Sequence, residues 1–277
     1  MANADETNRW VLRELSELPP DVQTEILKHR KQAVAYQFSG PAPILMEFQG
    51  YIFRAIKNRL YWRKKHTTYV DFLLDLIKAA FGQNWHSEQV SLPHSQRHIV
   101  MRWMKSWFDY CQSQRPQDLP DETVIGSVPT GDGQALITLA DDLYRLQLAR
   151  CLPSKLMHRL RQRTEFQSAR YEIQVASIFL RCGFEIEWTE EESTKRCEFH
   201  ARHRSSGLRM AVEAKSRRRR GVLEEPGTFD ESHDFGFENL YEDAKAQNPK
   251  DCPFCIFVDV NVRPRPEFDK WSKPWIA

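Results

Sequence analysis

The chain has 277 residues, of which 41% are hydrophobic and 28% charged. This composition excludes intrinsically disordered and fibrous proteins. No stretch approaches the roughly 18 uncharged apolar residues of a transmembrane helix, and the N-terminus lacks the order of a secretory signal, so we expect a cytoplasmic protein with no membrane partner. A formal net charge of +2 provides no whole-chain argument for nucleic acid binding, which must rest on local clusters.

The first half of the chain carries apolar residues at helical spacing, which predicts an all-helical region over about residues 10–150. One long predicted helix carries its apolar residues from Leu45 to Tyr61 and ends in the basic Arg63-Lys64-Lys65. The next begins near Thr67 or Thr68, either of which could cap it, and ends at Gly82. Two further helices are predicted at 98–110 and 135–149.

Two segments of this half mix basic with aromatic residues. They contain Tyr51, Arg54, Lys57, Arg59, Tyr61, Trp62, Arg63, Lys64 and Lys65, and Arg102, Trp103, Lys105 and Trp107. Such aromatics can stack nucleic-acid bases. The alternative, which we favour, is that they are core residues of amphipathic helices whose basic edges reach solvent.

The hydrophobic period changes from about 3.6 to 2 after residue 164, and this predicts a second domain. We place the boundary so that residues 1–155 form a helical recognition or regulatory domain and residues 156–277 a mixed α/β domain. The predicted order is helix, three strands, helix and strand. The elements are expected at 168–181, 184–188, 198–203, 208–214, 240–244 and 255–260.

Acidic and basic residues cluster on the two strands predicted at 198–203 and 208–214, which are expected to form a β-hairpin. Glu213 and Lys215 share one strand face because side chains alternate along a strand. Glu198, on the adjacent strand, can bring a second carboxylate to the same cation. Hard oxygen ligands suit Mg²⁺ or Mn²⁺. Apolar neighbours of Glu213 indicate a half-buried strand, where an ionised carboxylate requires a partner.

These residues resemble the PD-(D/E)XK, or restriction-endonuclease-like, superfamily. The resemblance covers about residues 164–262 and places Glu172 on the helix, Glu198 on one hairpin strand, and Glu213 with Lys215 on the other. It implies an α+β protein whose C-terminal domain has a mixed central sheet. It also implies that Glu198 and Glu213 bind the metal, that Lys215 stabilises charge or orients water, and that Glu172 is an outer ligand or holds a water molecule. The family's usual Asp is replaced by Glu198.

Several neighbouring residues could bind nucleic acid. Four arginines lie just after Lys215 and could bind phosphates or form a solvated surface; they are Arg217, Arg218, Arg219 and Arg220. Lys245 and Gln247 on the next helix could face the site or solvent. His200 shares the predicted face of Glu198 and is either a further ligand or base, or a hairpin histidine without such a role.

The six cysteines are expected to be reduced thiols, because no secretory signal precedes them. Cys252 and Cys255 form a single CxxC pair. A zinc site would normally require a second pair or suitably spaced histidines, so this pair by itself does not predict one.

The resemblance implies a Mg²⁺- or Mn²⁺-dependent endonuclease that hydrolyses phosphodiester bonds, with DNA favoured over RNA and defence against foreign DNA as a family-level role. The first alternative is a non-catalytic nucleic-acid-binding or assembly subunit that retains the nuclease-like fold. The second is a helical protein-interaction adaptor. The helical region could also form a homodimer or bind a partner protein.

Overall fold

The structure is a computed structural model. It describes residues 11–14, 20–21, 23–24, 28, 44–56, 59–64, 68–116, 126, 128–189, 197–223, 227–228, 237–259 and 261. These residues form an α+β protein with two four-stranded sheets, one antiparallel and one mixed.

The first sheet corrects our prediction of an all-helical N-terminal region. Its strands are β1 (Val11–Glu14), β2 (Ile44–Phe48), β3 (Tyr51–Ile56) and β4 (Arg59–Lys64). They are antiparallel in the order β1-β4-β3-β2. The long helix predicted at residues 45–61 is therefore wrong.

Local geometry and burial explain this error. Gln49 and Gly50 both have positive φ, 49° and 80°, and Phe48 pairs with Tyr51 across them. Two positive φ angles in a two-residue loop are typical of a tight β-hairpin turn. The strands also bury apolar residues on both faces, so the two-residue alternation that would identify them is hidden.

Burial on the two faces of this sheet produces two apolar clusters. Ile56 and Tyr61 belong to the main hydrophobic core, whereas Ala55 and Leu60 belong to a smaller cluster with Met46. The sheet thus packs onto the helices with one face and has its own small cluster on the other.

The helices that follow this sheet in the chain agree better with the sequence prediction. They are α1 (Tyr69–Phe81), α2 (Gln83–Ser91), α3 (Ile99–Gln114), α4 (Gly131–Leu148), α5 (Ser154–Arg161), α6 (Phe166–Arg181) and α7 (Phe237–Lys245), with a 3₁₀ turn at His94–Gln96. The predicted start and end of the first helix are confirmed. Thr68 caps α1 in a reciprocal capping box with Asp71, and Gly82 ends it.

The mixed basic and aromatic segments supply core and core-edge residues. Tyr61 and Trp103 are buried, and the guanidinium of Arg54 lies 4.9 Å from the ring centroids of both Tyr69 and Phe72. These contacts support the core interpretation over base stacking for the residues involved.

The second sheet contains β5 (Phe184–Trp188), β6 (Phe199–His203), β7 (Arg209–Ser216) and β8 (Phe254–Asp259), in that spatial order. β5, β6 and β7 are antiparallel, whereas β8 is parallel to β7. Helix α7 connects β7 to β8 and packs against both. The predicted order of helix, three strands, helix and strand is confirmed.

One hydrophobic core joins the helices to this sheet. It includes Phe72 of α1, Leu143 of α4, Phe166 of α6 and Val212 of β7. The boundary predicted at residue 155 falls within this continuous core, and the division into two domains stays a prediction. None of the described helices combines the length and apolar composition that a membrane-spanning segment requires.

The close packing of α3 on α4 yields a stability test. A Cβ atom on Gly133 would overlap the ring of Trp107, whereas one on Gly131 would have no neighbour within 4 Å. We expect Gly133→Ala to lower the free energy of unfolding by about 1–3 kcal/mol, since a packed indole must move. Gly131→Ala should be neutral or slightly stabilising. Chemical denaturation of both variants measures this, and equal midpoints would contradict the packing.

Candidate active site

Glu213 is the buried centre of the candidate site. It lies on β7 with no exposed surface, and its Oε1 is 2.7 Å from the Nζ of Lys215, whose side chain is 23% exposed. The two share one strand face, as the sequence predicted. Burial raises the pKa of Glu213, while the hydrogen bond and charge of Lys215 oppose that shift. Lys215 thus pairs with a buried carboxylate while part of its own side chain is exposed at the protein surface.

Glu198 precedes β6 and adjoins Glu213 through its backbone. Its N–H donates to Oε2 of Glu213 at 3.1 Å, so the predicted juxtaposition of the two residues is present. Burial, followed by the charges of Glu172 and Glu213, raises the pKa of Glu198 to about 8. In the absence of a cation, the surroundings of Glu198 therefore favour its protonated form more than water does.

Glu172 is on α6 and is bound by an arginine that no sequence pattern singled out. Arg159 on α5 donates to both carboxylate oxygens, at 2.6 and 2.7 Å, and its Nε donates to Glu165 at 3.1 Å. Burial alone would lower the pKa of Arg159, but the hydrogen bonds and charge of Glu172 outweigh it and raise that pKa. No local motif could reveal this pair, because its members lie on separate helices.

The three glutamates are neighbours without forming one compact ligand set. Glu172 and Glu213 both contribute to the raised pKa of Glu198, which shows their electrostatic proximity. Among the described residues, however, the group of three ligand atoms within 4.8 Å of one another consists of His200, Asp251 and Cys252. With Glu172 held in two hydrogen bonds by Arg159, the carboxylates that could share a cation are Glu198 and Glu213.

The arginine run is divided between surface and interior. Arg218 and Arg220 are exposed and Arg217 is partly exposed, whereas Arg219 is buried and donates to the carbonyl oxygen of Asn261 at 2.7 Å. The prediction that Arg219 contacts nucleic acid requires correction, because its guanidinium is directed into the protein. Its backbone N–H also donates to Gln167 at 3.3 Å, so this residue anchors the segment after β7.

The contacts of Lys245 lie within its own helix. Lys245 is exposed at the end of α7, where it pairs with Glu242 at 3.1 Å and lies 5.8 Å from the Tyr241 ring centroid. Gln247 follows the helix and is partly exposed. These positions favour the solvated-face interpretation for Lys245.

The raised pKa of Glu198 gives a pH-dependent prediction for the metal-free protein. Between the ordinary glutamate pKa of about 4.3 and the raised value, the folded state binds this proton more strongly than the unfolded state does. The free energy of unfolding should therefore fall as pH rises through that window. Glu198→Gln cannot ionise and should weaken this dependence. Melting temperatures measured with a chelator from about pH 5 to 8 test it. Glu187→Gln, which removes an exposed carboxylate from β5, is the control; identical slopes for wild type and Glu198→Gln would refute the assignment.

In comparisons with known proteins, no family model, curated protein or solved structure matches the chain.

Proposed function

We propose that this protein is a metal-dependent endonuclease that hydrolyses phosphodiester bonds, with DNA favoured over RNA as substrate. The observation that carries the proposal is the fully buried carboxylate of Glu213, paired with Lys215 at 2.7 Å and bonded to the backbone of Glu198. A buried carboxylate that needs such partners is costly to fold, and functional sites are where such costs concentrate.

The order of the secondary structure elements supports the resemblance to the PD-(D/E)XK superfamily. Helix α6 precedes the antiparallel strands β5, β6 and β7, and α7 then leads to β8. Glu172, Glu198, and Glu213 with Lys215 occur on the helix, at the start of one hairpin strand and on the other, as the resemblance implies. Fold alone does not establish activity, so the proposal depends on the chemistry of these side chains.

The donor set fits a hard divalent cation. Glu198 and Glu213 supply carboxylate oxygens, the ligands that Mg²⁺ and Mn²⁺ prefer. Burial, and then the charges of Glu172 and Glu213, raise the pKa of Glu198, and a bound cation would offset both effects. A bound Mg²⁺ or Mn²⁺ would polarise the scissile phosphate and lower the pKa of coordinated water. The cation and the Glu198 proton compete for the same carboxylate, so cation affinity should increase with pH.

The other charged groups have roles set by their positions. Lys215 is partly exposed beside Glu213 and would stabilise negative charge that develops on a phosphate. Glu172 is bound to Arg159 and would position the surrounding helices rather than ligate the cation. This changes the outer-ligand role that the family resemblance implied for Glu172.

The leading alternative is a non-catalytic nucleic-acid-binding or assembly subunit with a nuclease-like fold. Two observations favour it: Glu198 stands where the family usually has Asp, and Glu172 is bound by Arg159. A homodimer or a partner protein bound through the N-terminal region would suit such a subunit. Binding of metal and nucleic acid without cleavage would support this alternative. The leading proposal, with its family-level role in defence, requires cleavage of foreign DNA.

Substitutions of Glu213 and Lys215 should separate metal binding from charge stabilisation. Glu213→Gln keeps the side-chain shape but removes an anionic ligand, so Mn²⁺ affinity and cleavage should fall together. Lys215→Gln should leave Mn²⁺ affinity similar or higher, because a nearby positive charge is removed, while cleavage falls on the order of 10² to 10³-fold. Calorimetric titration with Mn²⁺ and plasmid cleavage measure the two effects.

The matched control for this experiment is Lys155→Gln, which removes an exposed lysine from α5. It should retain both metal affinity and cleavage. Circular dichroism melting must show that each variant is folded. Wild-type cleavage by folded Glu213→Gln or Lys215→Gln would reject the active-site assignment.

The arginine run should contribute binding energy through its exposed members. The triple variant Arg217→Gln, Arg218→Gln, Arg220→Gln should weaken DNA binding and flatten its salt dependence. The slope of log K against log salt concentration should shrink by about 0.9 for each phosphate that the protein no longer neutralises. Arg219→Gln should instead lower the melting temperature, since the buried guanidinium bonds Asn261. Fluorescence anisotropy over a salt series measures the slope.

Lys105→Gln with Lys155→Gln is the charge control, because both lysines are exposed on helices α3 and α5. An unchanged salt slope in the arginine variant would show that the run is a solvated surface.

A further inference from the structure

Three side chains of different chemistry meet at the end of the second sheet. His200 lies on β6, and Asp251 and Cys252 lie in the turn before β8. Their ligand atoms are all within 4.8 Å of one another. The turn is fixed to the sheet because the backbone N–H of Ala211 on β7 donates to the carbonyl oxygen of Pro253 at 2.8 Å. Backbone pairing therefore positions this cluster.

One ring nitrogen of His200, the histidine of this cluster, lacks a hydrogen-bond partner in the described part of the chain. The Nε2 atom of His200 is buried and has no hydrogen-bond partner among the described residues. A buried imidazole nitrogen without a partner is costly. Asp251 is oriented from outside, because Nη1 of Arg209 donates to its Oδ2 at 3.2 Å, and the Cys252 thiol lies beside it within the cluster. The cluster thus combines an unsatisfied nitrogen with an oriented carboxylate and a thiol.

We propose that His200, Asp251 and Cys252 form a second metal site, which binds Zn²⁺ or a transition metal of similar softness. An imidazole nitrogen, a thiolate and a carboxylate are all ligands for Zn²⁺, whereas Mg²⁺ prefers oxygen ligands alone. Three protein ligands leave the fourth tetrahedral position for water. On binding, the Cys252 thiol releases its proton to solvent as the metal–sulfur bond forms.

This site differs from the carboxylate site in both chemistry and role. It would join β6 to the turn that starts β8, across the hairpin that also carries Glu198 and Glu213. His200 pairs with Ala211, two residues before Glu213 on the same face of β7. A metal bound here would stabilise the sheet beside the candidate active site. The two sites share no ligand residue, so the inference does not depend on the proposed function.

Cobalt(II) substitution tests the site directly. The full chain, purified with reductant and stripped by a chelator, is titrated with Co²⁺, which has a near-ultraviolet thiolate charge-transfer band when bound to cysteine. We expect this band to saturate at one equivalent, to disappear on adding Zn²⁺, and to persist in excess Mg²⁺. Cys252→Ser should abolish it. His200→Gln and Asp251→Asn should each weaken Co²⁺ binding by at least about tenfold.

Two matched controls make the result specific. Cys255→Ser alters the other cysteine of the CxxC pair, which lies outside the cluster, and should retain the band. Glu213→Gln should also retain it, because the two sites share no ligand. Zn²⁺ should raise the melting temperature of wild type and of Cys255→Ser, but not of Cys252→Ser.

Three results would overturn the proposal. They are the absence of a Co²⁺–thiolate band in wild type, a band of equal intensity in Cys252→Ser, and equal loss of the band in Cys255→Ser and Cys252→Ser. If Cys252→Ser does not fold, the affinities of His200→Gln and Asp251→Asn decide the question, and wild-type Co²⁺ affinity in both would reject the site.

Discussion

The burial of the Glu213 carboxylate is the constraint on which the candidate site depends. A charge with no exposed surface requires close compensation, and here Lys215 and the backbone N–H of Glu198 supply it. The first partner ties the carboxylate to its own strand, and the second ties it to the start of the neighbouring strand. The register of the β6–β7 hairpin and the arrangement of the charged groups are therefore coupled.

A second charge network extends this arrangement to the helices. Arg159 on α5 binds both Glu165 and Glu172, and Glu165 also pairs with Arg218 at 3.4 Å. Replacing an internal ion pair by apolar residues is often neutral or stabilising, so its presence is weak evidence for stability alone. Its position near Glu198 favours a role in setting the electrostatic potential of the site, because the charge of Glu172 raises the pKa of Glu198 and the charge of Arg159 lowers it.

Hard and soft ligands are separated along one sheet. The carboxylates near Glu213 suit an oxygen-seeking cation, and the cluster of His200, Asp251 and Cys252 suits zinc. In the sequence, Cys252 and Cys255 form only an incomplete zinc motif, and His200 was a candidate ligand for a different cation. The sheet brings His200 to Cys252 because β6 and β8 flank β7, a neighbourhood that spacing along the chain does not reveal.

Elements with local signals could be predicted from the sequence. Thr68 and Gly82 delimit α1 through capping chemistry, and alternation along β7 places Glu213 and Lys215 on one face. The strands at residues 44–64 were mistaken for a helix because their apolar residues serve two clusters on opposite faces. The binding of Glu172 by Arg159 and the burial of Arg219 became visible in the tertiary structure alone, because partner choice and solvent access depend on contacts between distant segments.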